Sequence, residues 1–274
     1  MTAGSGGQLP ILDRALRHDR TIVLGAVAMV TALAAAYTVF GVGMEMTALE
    51  MTRMAGSSGA AMDMGETPEW GPAHAVMLVL MWWIMMIAMM TPSAAPTLLL
   101  FAALRRCSSQ RANAGAQSIW FLAGYLLVWA LFSVAATALQ LGFQAVGMIS
   151  AAMMTVSSAH AAGAVLLLAG AYQFSPLKAA CLRHCRSPAQ FLTEHRRPGY
   201  TGALVMGAHH GAFCLGCCWA LMALLFVGGV MNLYWILGVA LLVAIEKTAP
   251  FGVQTGRIIG VGLASFGAWF LLTG

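Results

Sequence analysis

Cys214, Cys217 and Cys218 stand at i, i+3 and i+4, a spacing that places three thiols on one face of a helix. His210 lies four residues before Cys214 and Met222 four after Cys218, so both extend the same stripe. Thiolate, imidazole and thioether together form a soft donor set, the kind that selects Cu(I) over hard cations. A buried cysteine is also a small hydrophobe, so packing is the rival explanation for any one of these positions. Three thiols and a histidine on one face of an apolar segment favour metal or redox chemistry over packing. The spacing is not that of paired Cys-x-x-Cys zinc knuckles.

A second sulfur stripe runs through Met81-Trp-Trp-Ile-Met-Met-Ile-Ala-Met-Met-Thr-Pro92. Met77, Met81, Met85 and Met89 recur at i+4, with Met86 and Met90 on the neighbouring stripe. Counted by helical rise, Met81 and Met85 should reach about the same depth as Cys214. Pro92 and Pro96 lack amide hydrogens and should kink this helix. Methionine is also an adaptable core filler, and the two readings balance here. Further along, Cys181 and Cys185 are one helical turn apart with His184 between them, a third group of soft or borderline donors. His74 and His160 fall near the starts of two apolar segments and suggest an entry pair. Residues 41–71 carry Met44, Met46, Met51, Met54, Met62 and Met64, a thioether-rich loop suited to capturing a soft ion.

The elements that would position these donors are membrane helices. Hydrophobic residues make up 60% of the 274-residue chain and charged residues 8%, against roughly 25% charged in soluble domains. Such a chain cannot cover a water-facing surface, which excludes a soluble enzyme, a disordered chain and a disulfide-stapled secreted scaffold. A span needs about 20 apolar residues. That length predicts an all-α bundle of about seven spans over 21–40, 73–101, 117–141, 153–174, 201–227, 233–245 and 258–272. The last two are short. With residues 1–20 as a cytoplasmic tail, 21–274 form one transmembrane domain whose outer loop is 41–71. The N-terminus then lies inside, the C-terminus outside, and every Lys and Arg except Arg53 falls on the cytoplasmic side. The cations therefore set topology and meet anionic lipid, and no nucleic-acid partner is expected from the net charge of +5. The first span is longer than a signal-peptide core and is expected to be retained. Glu246-Lys247 closes the sixth span, either as a functional carboxylate or as a pair reaching for the interface.

Met81-Trp-Trp with Ala88-Met-Met-Thr-Pro, Tyr172-Gln with Pro176-Leu-Lys and the following Cys-x-x-x-Cys, Cys214-Leu-Gly-Cys-Cys-Trp, Met231-Asn and Glu246-Lys occur together. In this combination, from about His74 to Glu246, the chain resembles a bacterial family of predicted metal-binding integral membrane proteins catalogued as a domain of unknown function. The resemblance implies a multi-pass protein of the bacterial inner membrane. The methionine loop at 41–71 is not part of the shared pattern.

The residues thus point to a membrane protein that binds Cu(I) for handling, transfer or transport. Its expected ligands are Cys214, Cys217, Cys218, His210, Met81, Met85, Met89, Cys181, Cys185, His184, His74 and His160. Its partners would be the lipid bilayer, the metal ion and a protein that delivers or accepts it. The alternatives are a membrane thiol–disulfide oxidoreductase, using the same cysteines, and haem held by His74, His160, His209 or His210. No Ser/His/Asp arrangement or carboxylate pair suggests a hydrolytic enzyme, and no Gly-x-x-x-x-Gly-Lys nucleotide loop is present.

Overall fold

The computed structural model describes residues 8–40, 48–56, 71–107, 113–150 and 154–274, and these residues are helical almost throughout. The elements are α1 (Gln8–Phe40), α2 (Ala48–Gly56), α3 (Pro72–Arg106), α4 (Ala114–Ala145), α5 (Ala159–Tyr172), α6 (Pro176–Arg186), α7 (Pro188–Glu194), α8 (Gly199–Ala223), α9 (Leu225–Gly228), α10 (Leu233–Thr248) and α11 (Gly252–Thr273). Of the six loop methionines, Met44, Met46, Met62 and Met64 lie outside the described residues; Met51 and Met54 fall in α2, but their side chains are not among those described.

Among the described residues, four helices are long and apolar enough to cross a membrane: α3, α4, α8 with its continuation through α9, and α11. A fifth crossing forms if α5 and α6, which meet at a 63° bend, count as one broken span. The remaining expected spans come out short. The apolar part of α1 covers Leu24–Phe40, and α10 has 16 residues, below the roughly 20 that a straight crossing takes.

Local sequence explains where these helices start and bend. Pro72 and Pro176 occupy first turns, where a missing N–H costs nothing. Ser158, Ser175 and Asn232 cap α5, α6 and α10 through their side-chain oxygens. Ser175-Pro176 forces the bend between α5 and α6, because the residue before proline is pushed out of the helical region. Gly229 turns the chain from α9 toward α10 at φ +96°, a conformation open to glycine at little cost. In α3, by contrast, both Pro92 and Pro96 lie inside one continuous helix. The Met90 carbonyl, within the proline-disturbed stretch, accepts from Tyr125 Oη at 3.0 Å and Ser93 Oγ at 2.9 Å. A hydroxyl from α4 and one from α3 itself thus add bonds to the backbone of a helix that proline weakens.

Glycine sets the closest helix contacts. On α8 a side chain at Gly207 would run into the Phe121 carbonyl of α4, and one at Gly124 of α4 would run into the Leu204 carbonyl of α8. The α5–α11 pair uses the same device: a Cβ at Gly170 would lie 2.7 Å from Ala264 N, and one at Gly267 2.6 Å from Leu167 N. Where apolar lipid removes the hydrophobic drive for association, such close backbone approach supplies the attraction by van der Waals contact.

The core between these pairs contains Met81, Met85, Met86, Met89, Met90, Met222 and Met231 together with Cys214, Cys217 and Cys218, all buried. Met77, the first member of the expected methionine stripe, is instead 44% exposed. Leucines and aromatics of α3, α4, α10 and α11 face outward, as in Ile119, Leu131, Leu237 and Phe266. A water-soluble fold would not leave so continuous an apolar exterior. One polar tie crosses the core: Trp82 Nε1 donates to Gln140 Oε1 at 2.8 Å, with both residues fully buried. Gln140→Leu strands that indole N–H, and a loss of about 1–3 kcal/mol is expected in reversible unfolding in detergent.

Candidate metal centre

The three cysteines of α8 are buried on one face, as their spacing predicts. Cys217 and Cys218 turn back toward their own helix, each sulfur donating to the Cys214 carbonyl at 3.1 and 3.0 Å. The inner pair, which the sequence leaves as a separate cluster, joins them. Cys185 of α6 packs against the same buried cluster as Cys217 and interacts with it electrostatically. Cys181 lies so close to Gly216 that a Cβ there would come within 2.7 Å of its sulfur. Gly216 is therefore the position that lets α6 approach, and Tyr172 Oη fixes the approach by donating to the Gly216 carbonyl at 2.5 Å. Five of the six cysteines, all free thiols, thus meet where α6 packs on α8.

The level of this cluster against α3 is deeper than helical counting suggests. Tyr125 Oη reaches both the Met90 carbonyl and Cys214 Sγ, at 3.0 and 3.2 Å. Cys214 therefore stands level with Met90 and Ser93, two turns beyond Met81 and Met85. Met81, Met85 and Met89 are buried in the same core, and toward the other end of the pair Trp82 packs on Phe226 at 5.3 Å. The depth estimate missed because it counted α3 inward from Pro72 as if the helix were one membrane thickness long, whereas α3 runs for 35 residues and its far end, where Arg105 donates to the Arg197 carbonyl, lies level with the start of α8.

Two residues beside the cluster carry charge. Lys247 Nζ donates to Cys214 Sγ at 2.9 Å and to Ser93 Oγ at 3.2 Å, inside the bundle. Glu246 pairs with Lys178 of α6 at 2.6 Å, also buried. Glu246 and Lys247 are consequently not partners of each other, and neither reaches for an interface. Adjacent helical residues point about 100° apart, which is why the pair expected at the interface does not form. The remaining Glu246 oxygen and both polar atoms of Gln173 have no hydrogen-bond partner. A cavity of about 670 Å³ opens beside them, lined by Gln173, Lys178, Arg183, Arg186 and Arg257. The ammonium of Lys247 and the hydroxyls of Tyr125 and Ser93 were missed by sequence reasoning; each arrives from another helix and no local pattern marks it.

The histidines divide. His210 is buried one turn from Cys214 among Phe121, Tyr125 and Phe191, and its Nδ1 has no partner. An imidazole nitrogen left bare in an apolar interior is expensive unless something binds it. His184 does not turn to its neighbouring thiols; its ring stacks on Phe213 at 4.1 Å. His74 and His160 open α3 and α5, half-buried and exposed respectively, and neither reaches the sulfur cluster or the other in a hydrogen bond or ring contact among the described residues. Among the described residues no three His, Cys, Asp or Glu side chains are gathered around one point as a finished ligand cage. The thiols make weak bonds to a carbonyl, a phenol and an ammonium, all of which a soft cation can displace.

A family described as PpoB2, copper chaperone, matches residues 79–270, a stretch that contains the whole sulfur cluster and its charged neighbours. No curated protein matches, and no solved structure does.

Proposed function

We propose that this chain, which belongs to the PpoB2 family of copper chaperones, is a multi-span protein of the bacterial inner membrane that takes Cu(I) into its thiol–thioether core and passes it to an acceptor protein. The observation that carries this reading is the convergence of Cys181, Cys185, Cys214, Cys217 and Cys218 at the α6–α8 contact within a methionine-walled interior. Copper here is cargo. Thiolates bind it most tightly, and binding a thiol releases its proton. The neutral thioethers of Met81, Met85, Met86, Met89 and Met90 bind more weakly and without proton release. A cation approaching along α3 would therefore move down a gradient of donor strength toward Cys214. His210 supplies a nitrogen donor at the far side of that cysteine.

In this reading the chain crosses the membrane seven times, with α1 and α10 as its shortest spans. The basic residues at the ends of α3, α6, α7 and α11 face the cytoplasm, by the bias that collects Lys and Arg there. The thioether-rich segment 41–71 and His74 stand at the opposite side, as first contacts for the ion. Membership of a chaperone family favours transfer to a partner over static storage, and the absence of a nucleotide loop from the sequence leaves ligand exchange as the way the ion moves.

The test is elemental analysis of the full-length protein purified after anaerobic copper loading, with Cys214→Ser/Cys217→Ser/Cys218→Ser beside it. Copper should copurify with the native protein and fall to background in the variant. Native protein without copper would overturn the proposal. A loss of titratable thiols on mild oxidation, with no copper bound, would identify a thiol–disulfide cycle instead, and a Soret band would identify haem.

A further inference from the structure

Where α6, α7 and α8 meet at the basic end, three histidines approach one another outside the sulfur cluster. The rings of His184 and His195 lie 6.3 Å apart, and that of His209 lies 5.6 Å from His195. Two of them are oriented by their own helices. His184 Nδ1 meets the Ala180 carbonyl at 2.9 Å, and His195 Nδ1 meets the Phe191 carbonyl at 3.2 Å. A carbonyl only accepts, so in each bond Nδ1 carries the hydrogen, and in the neutral ring Nε2 is left with its lone pair. A backbone carbonyl on the second nitrogen is the usual device that fixes the tautomer and orientation of a metal-binding imidazole. Aromatic packing then holds the ring planes: His184 lies parallel to Phe213, and His195 stacks on Phe191 at 4.9 Å.

We infer that His184 and His195 form a second, all-nitrogen site for a monovalent soft cation, Cu(I), separate from the thiol cluster. With metal–nitrogen bonds of about 2 Å, one ion between two imidazoles places the ring centres roughly 6 Å apart, as these are. Two ligands suffice for a closed-shell monovalent ion, and among the described residues no third His, Cys, Asp or Glu completes a cage around this pair. The neighbouring segment is basic: Arg196 and Arg197 follow His195, and the carboxylate of Glu194 is engaged by Gln190 Nε2 at 2.7 Å. Arg186 turns away from the pair to the carbonyls of Glu246 and Pro250. Repulsion from a basic segment scales with the charge of the ion, so a divalent cation is penalised twice as heavily as Cu(I). His209, exposed on α8, stands next to His195 on the side open to a docking partner. Such a pair would be the station at which the ion leaves, or enters, by way of a soluble carrier. The site does not depend on copper binding by the cysteines.

Copper K-edge absorption of the full-length protein loaded with Cu(I) alone tests it. A nitrogen shell with imidazole outer-shell scattering is expected in the native protein and in Cys214→Ser/Cys217→Ser/Cys218→Ser. His184→Phe and His195→Phe keep the ring stacking on Phe213 and Phe191 but remove the donor atoms. Each, combined with His210→Phe so that the donor beside Cys214 contributes nothing, should abolish the nitrogen shell while the sulfur shell remains, and that surviving sulfur shell reports that the variant is folded. If the triple serine variant does not fold, the two phenylalanine variants in the native background decide alone. An imidazole signal that persists in both combined variants, or one already lost with His210→Phe alone, overturns the proposal. Failure of the thiol reading would appear differently, as a missing sulfur shell.

Discussion

Gly207→Leu should yield no folded protein recoverable from the membrane in detergent. The Cβ alone would enter the Phe121 carbonyl of α4, and the leucine branches beyond it have no space. The neighbour is backbone, which cannot swing aside as a side chain could, so α4 and α8 must separate along their length. Overpacking a well-filled core costs about 1–3 kcal/mol when side chains can adjust, and this site lacks that relief. Every α8 donor rides on the same contact, so copper binding is lost with the fold. Two controls fix the cause. Gly211→Ala meets only Val128 side-chain atoms and the Tyr125 carbonyl at 3.0–3.2 Å and should be mildly destabilising. Gly142→Ala points into open space on α4 and should stabilise by about 0.5–1 kcal/mol through helix propensity. Monodisperse elution on size exclusion and thermal unfolding separate the three. A folded, copper-binding Gly207→Leu would refute the proposed packing.

Glu246→Gln comes next in size. The Lys178–Glu246 pair is buried on both sides, and removing one charge leaves the other without compensation in a low-dielectric interior. A loss of about 3–5 kcal/mol is expected for Glu246→Gln, and a similar one for Lys178→Met. Lys178→Met/Glu246→Leu replaces both charges by apolar groups of comparable volume and should recover most of the loss, or exceed the native stability. The pair would then be retained for reasons other than stability. Its position between the cavity and Lys247 suits a role in holding α6 and α10 in register. Additive losses in the double variant, measured by unfolding in detergent, would show that the two residues act separately.

The helices and their burial were legible in the sequence because one physical signal, unbroken hydrophobicity over a membrane's thickness, dominates everything else. The shared face of Cys214, Cys217, Cys218 and His210 was legible for a similar reason: helical periodicity acts within one segment. What crossed between segments was not. Cys181 and Cys185 meet the α8 thiols only because Gly216 admits α6 and Ser175-Pro176 bends the chain back. The level of Cys214 against Met90 depends on how α3 and α8 are staggered, a tertiary quantity. Lys247 reads in sequence as the neighbour of an acid, yet its partner is a sulfur two helices away in the chain order. His195, unremarkable by spacing, gains meaning only beside His184.

The glycine contacts have a mechanical consequence. They weld α4 to α8 and α5 to α11 backbone against backbone, so each pair must move as a stiff plank. The sulfur donors lie at the joint where α3 and α6 border the α4–α8 plank, faced largely by methionine, whose unbranched thioether arm changes rotamer at little cost. Any deformation of the bundle therefore concentrates where the donors are and spares the elements that carry them. A joint of this kind can change the spacing of its sulfurs without unfolding a turn of helix, and a soft ion held there would be loosened or gripped by the sliding of two rigid bodies.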